Sequence, residues 1–203
     1  IQKKIGSGGM AAIYKAYDIR LGNRIVAVKE MSVSDITKEK EKQSIFEAFK
    51  REAEILAKLN HPNLPGVSDY FSDMNKQYLV MDFIDGMTLA ELLEKTEGFL
   101  EEDRVINWGI QLCNVLNYLH SQTPPIIFRD LKPGNIMLDE NDKIKLIDFG
   151  IARLFKKGKT SDTICMGTPG YAPPEQYGKG QTDARSDIYS LGATLHHLLT
   201  LHD

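Results

Sequence analysis

Apolar positions change their spacing part-way along the chain. In the first third they come in short alternating or continuous blocks bounded by Gly, Asn and Asp. Residues 5–16, with glycine crowded at Gly6, Gly8 and Gly9, read as strand, turn and strand, and Ile25-Val26-Ala27-Val28 reads as a strand ending on Lys29. A helix is predicted over 44–59, where Phe46, Phe49, Ala53, Leu56 and Leu59 recur at helical spacing. Asn60-His61-Pro62-Asn63 ends it. Two strands follow at 67–71 and 77–83, across the turn Asp73-Met74-Asn75-Lys76.

After Asp85-Gly86 the helical period takes over. Thr88 to Glu91 has the form of a capping box, opening a short helix over 89–94. Val105, Gly109, Leu112, Leu116 and Leu119 mark a long core-facing helix over 101–120, in which Trp108 and Cys113 are expected to pack. Thr123-Pro124-Pro125 stops it and leads into the apolar Ile126-Ile127-Phe128. Residues 136–138 and 144–147 form a hairpin across a polar turn, and a last helix is expected over 186–200, opened by Asp187. The pattern predicts an α+β chain of two lobes, strand-rich over 1–84 and mainly helical over 85–203.

Composition narrows the function. With 203 residues and 42% apolar content the chain can build a real core, and a formal net charge of -3 gives no general attraction to nucleic acid or anionic lipid. Cys113 and Cys165 lie far apart with no zinc-type spacing, which fits a reduced, cytoplasmic setting. No apolar run approaches the roughly 20 residues of a membrane helix. A start at Ile1 and an end in mid-pattern at Asp203 read as a piece of a longer chain. On that reading the second lobe is truncated, Leu195, Leu198 and Leu199 lose cover, and any membrane anchor lies outside these residues.

The chemistry concentrates in Phe128-Arg129-Asp130-Leu131-Lys132-Pro133-Gly134-Asn135. Asp130 suits the removal of a proton from a hydroxyl, Lys132 the neutralisation of a moving phosphoryl group, and Asn135 the holding of Mg²⁺ through its amide oxygen. Asp148, delivered by the hairpin in Asp148-Phe149-Gly150, is a natural second metal ligand. Gly6 and Gly8 would let backbone N–H groups approach a phosphate, although a short glycine pattern taken alone reads more readily as an ordinary hairpin. Lys29 reads either as a surface lysine or as one reaching nucleotide phosphates. Of Glu47, Glu52 and Glu54, Glu52 lies one turn before Leu56, close to the apolar face, and is the candidate partner of Lys29.

Together these motifs resemble the catalytic domain of serine/threonine protein kinases, in particular the bacterial eukaryotic-like kinases, from Ile5 to Leu199. The resemblance implies a two-lobed protein-kinase-like fold and transfer of the γ-phosphoryl of ATP, with Mg²⁺, to Ser or Thr hydroxyls of proteins. It implies that Lys29 holds the phosphates with Glu52 as its partner. Ile5, Gly6, Gly8, Ile13, Ala27 and Met137 would enclose the nucleotide, with Met81 as gatekeeper and Asp82 and Ile84 offering backbone groups to adenine. Asp130 becomes the catalytic aspartate, assisted by Lys132, and Asn135 and Asp148 the metal ligands. Thr168 is expected beside Asp130 and Lys132, and Asp187 beneath the loop, holding its backbone.

Residues 151–166 correspond to the activation segment. Thr163, then Thr160 and Ser161, are the sites where self-phosphorylation would place a phosphate to meet Arg129. Gly167 to Glu175 resembles the segment that seats a substrate peptide, which disfavours a small-molecule kinase. Intact Lys29, Asp130, Asn135 and Asp148 speak against a nucleotide-binding pseudokinase for the longer parent chain, while the truncated second lobe speaks for one in this piece of it. Three positions depart from the family pattern: Ala11 for its third glycine, Pro173 for an alanine, and Phe128 for a histidine. Phe128 is expected to keep the packing on Phe149 and to give up a polar contact. Glu175 is expected to lack its usual arginine.

Overall fold

A computed structural model describes residues 1–8, 11–32, 38–74, 76–149, 153–154, 167–178 and 181–202. The chain divides into two compact units, Ile1–Asn60 with Pro65–Ile84, and His61–Leu64 with Asp85–Asp203.

The first unit is an antiparallel sheet with one helix. Its strands are β1 (Lys3–Gly8), β2 (Ala11–Asp18), β3 (Arg24–Ser32), β4 (Val67–Asp73) and β5 (Lys76–Asp82), in the order β1-β2-β3-β5-β4. The β2–β3 connection is a 3₁₀ turn in which Asp18 caps the Arg20 N–H, and it reverses through Gly22 at φ 68°. That left-handed backbone suits glycine. The β3–β5 register sets Val28 opposite Val80, and Ala16, Val26, Val28 and Val80 form a small core under Tyr14 and Tyr78.

Helix α1 (Glu39–Leu56) starts earlier than its apolar spacing predicts and also stops earlier. Its first turns, Glu39-Lys40-Glu41-Lys42-Gln43, are good helix formers without an apolar stripe, so periodicity cannot see them. At the other end Lys58 and Leu59 bond back to Ile55 and Leu56, tightening the chain out of the α-helical pattern. The inward face buries Phe49, Ala53, Ile55 and Leu56, and Phe49 lies 6.1 Å from the Tyr70 ring.

The second unit begins with β6 (Gly86–Thr88) and α2 (Leu89–Lys95). The capping box is present: Thr88 Oγ1 accepts from Glu91 N–H at 3.1 Å, and Glu91 Oε2 accepts from Thr88 N–H at 2.8 Å. Then come α3 (Glu102–His120), β7 (Ile126–Ile127), β8 (Ile136–Asp139), β9 (Ile144–Leu146), β10 (Arg153–Leu154), α4 (Pro174–Tyr177) and α5 (Ala184–Thr200). Strands β6, β8 and β9 make one small sheet and β7 with β10 another. Gly86 is required by crowding, since a Cβ there would meet the Leu138 carbonyl oxygen at 1.9 Å.

Three expectations are corrected here. Trp108 is fully buried, but Cys113 is exposed, because the inward stripe of α3 runs through Val105, Trp108, Leu112, Val115, Leu116 and Leu119 and leaves Cys113 on the opposite face. Helix α5 is opened by Asp183, which caps Arg185 N–H at 2.8 Å in an extended backbone, so Asp187 sits within the first turn. Leu198 is fully buried, whereas Leu199 is exposed.

Candidate active site

In the first unit, Lys29 Nζ lies 2.7 Å from Glu52 Oε1, with both residues buried at 7% and 4% exposure. Glu52 reaches it from the inward face of α1, between Phe49 and Leu56, while Glu47 and Glu54 face solvent. The glutamate that meets Lys29 is thus the one beside the apolar face of the helix. Buried ion pairs of this kind are costly to break, typically by about 3–5 kcal/mol.

Around this pair, Ala27 is buried opposite Met81 in the β3–β5 register, and Ile13 is opposite Lys29 in the β2–β3 register. Ile5 falls at a register shift in β1, and Gly8 pairs with Ala11. A Cβ on Gly6 would meet only Ile13 side-chain atoms, at 3.7–3.8 Å, so packing within the protein does not itself demand glycine there. Asp82 donates its N–H to the Gly66 carbonyl at 2.9 Å, and its carboxylate accepts from Gly66 N–H at 2.9 Å. Ile84 follows, half-buried.

In the second unit the central loop hangs from buried Ile126, Ile127, Phe128, Leu131 and Ile136. The Phe128 ring meets Phe149 edge-on, centroids 5.0 Å apart at 77°, so an aromatic ring does retain the packing. The loop backbone is fixed by side chains from α4 and α5. Asp187 accepts from the N–H groups of Phe128 at 2.9 Å and Arg129 at 2.8 Å, Gln176 donates to the Arg129 carbonyl at 2.8 Å, and Thr194 donates to the Leu131 carbonyl at 3.3 Å. Arg129 and Asp148 have φ of 74° and 63°. Left-handed backbone at a non-glycine residue costs about 1–3 kcal/mol and persists where surrounding bonds over-determine it.

The polar side chains converge. Asp130 Oδ1 accepts from Thr168 Oγ1 at 2.7 Å, while Oδ2 accepts from Asn135 Nδ2 at 2.7 Å and lies 2.9 Å from Lys132 Nζ. Lys132 also donates to Thr168 Oγ1 at 2.8 Å. Asn135 Nδ2 has a second acceptor, the Asp130 carbonyl at 2.9 Å. Both neighbours of this amide nitrogen are acceptors, which fixes the orientation of the amide group. The Asn135 carbonyl accepts from Ile147 N–H at 2.9 Å, tying the loop to the residue before Asp148. Half-buried Met137 lies one strand over, opposite Thr88 and Lys145.

An amide oxygen and a carboxylate are hard donors, few in number, which fits Mg²⁺: that ion keeps several waters and binds substrate phosphates rather than a closed protein cage. Among the described residues no group of three or more His, Cys, Asp or Glu side chains could hold a metal. Gly150, Thr160, Ser161 and Thr163 lie outside the described residues.

Several contacts had no sequence signal. His120 Nε2 lies 2.7 Å from Asp187 Oδ2. Asn63, legible only as a helix terminator, donates to the Ile144 carbonyl at 2.7 Å and to Gln111 Oε1 at 3.1 Å, and its carbonyl accepts from Leu146 N–H at 2.9 Å. These bonds explain why His61–Leu64 belongs to the second unit. Glu175, expected without its arginine, accepts from Ser186 Oγ at 2.8 Å. Tyr171 and His197 are hydrogen-bonded through Oη and Nδ1.

Residues 1–203 match the family model described as the protein kinase domain. The chain belongs to the protein kinase domain family. A probable serine/threonine-protein kinase of Streptomyces coelicolor is 41% identical over 97% of this kinase domain, which covers 29% of that protein. The serine/threonine-protein kinase PknB of Mycolicibacterium smegmatis is 39% identical over 97% of the domain, and the probable kinase PknB of Lactococcus lactis 38% over 98%, the domain covering 31% of each. The chain thus spans under a third of the length of these curated relatives. The kinase domain is α+β, as its pattern predicts, and its family works with ATP and a divalent metal. No helix among the described residues is long and apolar enough to cross a membrane.

Proposed function

We propose that this kinase domain transfers the γ-phosphoryl of Mg-ATP to Ser and Thr hydroxyls of cytoplasmic proteins. The observation that carries the reading is the convergence of Thr168, Lys132 and Asn135 on the Asp130 carboxylate. With both oxygens engaged, Asp130 is held in one orientation, ready to take the proton of an acceptor hydroxyl. Lys132 adds positive charge beside it, where the transferred group gathers negative charge. Lys29, kept extended by Glu52, would hold the nucleotide phosphates. Asn135 Oδ1 and the Asp148 carboxylate would hold Mg²⁺, which when bound neutralises charge on the phosphate oxygens. Ile5, Gly6, Gly8, Ile13, Ala27, Met81, Ile84 and Met137 would enclose the nucleotide, with the Asp82 carbonyl facing adenine. Catalysis of this kind is positioning and charge neutralisation.

In this reading residues 1–84 form the nucleotide-holding lobe and 85–203 the lobe of the catalytic loop. The serine/threonine-kinase names of the relatives support the choice of acceptor. The deciding assay uses the full-length protein, radiolabelled ATP and a generic acceptor protein. Asp130→Asn is expected to cut labelling by at least about 10²-fold while nucleotide binding persists. Undiminished labelling would remove Asp130 from its role, and nucleotide binding without any labelled protein in the unaltered chain would favour a pure binding module. The reading includes self-phosphorylation at Thr163, Thr160 or Ser161, adding about -1.5 to -2 charge. An active preparation with no phosphate between residues 151 and 166, by mass spectrometry, would refute that part.

A further inference from the structure

The Asp187 carboxylate is wholly buried, yet it carries the backbone of the loop that presents Asp130. A carboxylate removed from water needs its lone pairs filled. Oδ1 accepts from Arg129 N–H at 2.8 Å; Oδ2 accepts from Phe128 N–H at 2.9 Å and from His120 Nε2 at 2.7 Å. His120 arrives from the end of α3, with its side chain 15% exposed. With a carboxylate as acceptor, Nε2 must carry the proton, which settles the ring's orientation. Phe128, which occupies the loop position beside this carboxylate, has no polar atom on its ring.

We propose that His120 is a positioning residue for phosphoryl transfer, acting through Asp187. The inference rests on the Ser/Thr-kinase reading for its effect on rate, and on geometry alone for its effect on the loop. Arg129 keeps a left-handed backbone at φ 74°, held by the Asp187 bond to its N–H and the Gln176 bond to its carbonyl. Such a conformation survives only while its surroundings dictate it. Without the imidazole, Asp187 Oδ2 keeps a single donor and the carboxylate gains freedom to turn. The N–H groups of Phe128 and Arg129 then lose a fixed acceptor, and Asp130, the next residue, loses its register against Thr168 and Asn135. Displacement on this scale lowers turnover while the groups that hold nucleotide, Lys29 and Glu52 in the first unit, are untouched.

The test uses the full-length protein with His120→Leu, which removes the donor, and His120→Gln, whose amide nitrogen can replace Nε2. Hydrogen exchange is followed at the Phe128 and Arg129 amides, alongside kcat and the KM for ATP. In His120→Leu, exchange at these two amides is expected to rise about tenfold or more above the change elsewhere in the second unit. The kcat should fall about 10–100-fold with KM for ATP within about threefold. His120→Gln should restore both. Unchanged protection of the two amides in His120→Leu, or uniform loss of protection across the unit that His120→Gln fails to reverse, would overturn the proposal. If the unaltered protein transferred no phosphate, the kinase reading would fail, and the exchange at Phe128 and Arg129 would still decide whether His120 holds the loop.

Discussion

His61 shows how one side chain ties local chemistry to stability. Its Nδ1 accepts from Asn63 N–H at 3.1 Å, which requires that nitrogen to be unprotonated, and its ring lies 5.0 Å from that of Tyr118. Burial, and after it the charge of Lys145, hold the imidazole pKa below its ordinary value. The folded state therefore resists protonation more than the unfolded chain does. Its contribution is complete above the unfolded value of about 6.5 and is lost as pH falls through the folded value. Urea midpoints should decline across that window, and His61→Asn, compared with the unaltered protein at each pH, should remove this part of the decline. A ring titration by NMR with a midpoint at or above 6.5 would contradict it. At this scale the Lys29–Glu52 pair is legible because Glu52 lies beside the apolar face of its helix, and Asp130 stands out because it sits in a short polar loop between apolar strands. His120 and Asn63 are not: their partners Asp187 and Ile144 are 67 and 81 residues away, and no periodicity links them.

Elements were legible wherever burial imposes a period. Helix α3 and the hairpin of β8 and β9 follow from their apolar stripes, and α2 from its capping box. The start of α1 was hidden because its charged first turns have no buried face, and β10 because two residues paired with β7 carry no pattern of their own. The start of α5 turned on a cap. Asp183 is held below its ordinary pKa mainly by its hydrogen bond from Arg185. Its side chain accepts from Arg185 N–H, and Ser186 answers to the Asp183 N–H at 3.3 Å. Since the folded value is depressed, the stabilisation is present above about pH 3.9, the unfolded value, and is lost as pH falls through the folded one. Asp183→Ala should lower stability at pH 7 by about 1 kcal/mol, and by less at pH 2, in urea unfolding. Because α5 carries Asp187 and Thr194, the same variant reports how firmly the catalytic loop depends on its helix.

For the molecule as a whole, the two units hold different parts of the proposed chemistry: Lys29 and Glu52 in the first, Asp130, Lys132, Asn135 and Asp148 in the second. In the proposed reading Mg-ATP binds the folded chain and not the unfolded one, so it stabilises the fold by mass action. Mg-ATP at a hundredfold excess over its dissociation constant should add about 2.7 kcal/mol, read as a rise in melting temperature. Holding ATP fixed while chelating the metal should shrink the rise, because on the proposed reading Asn135 and Asp148 would then lack the ion through which they reach the phosphates. Lys29→Ala should abolish most of it, once corrected for the loss of the buried pair with Glu52. Asp130→Asn should keep it, since in the proposed reading this carboxylate meets the acceptor hydroxyl and not the nucleotide. If Asp130→Asn lost the shift as fully as Lys29→Ala, binding and transfer would not be separable in this chain, and the division of labour between Lys29 and Asp130 would have to be redrawn.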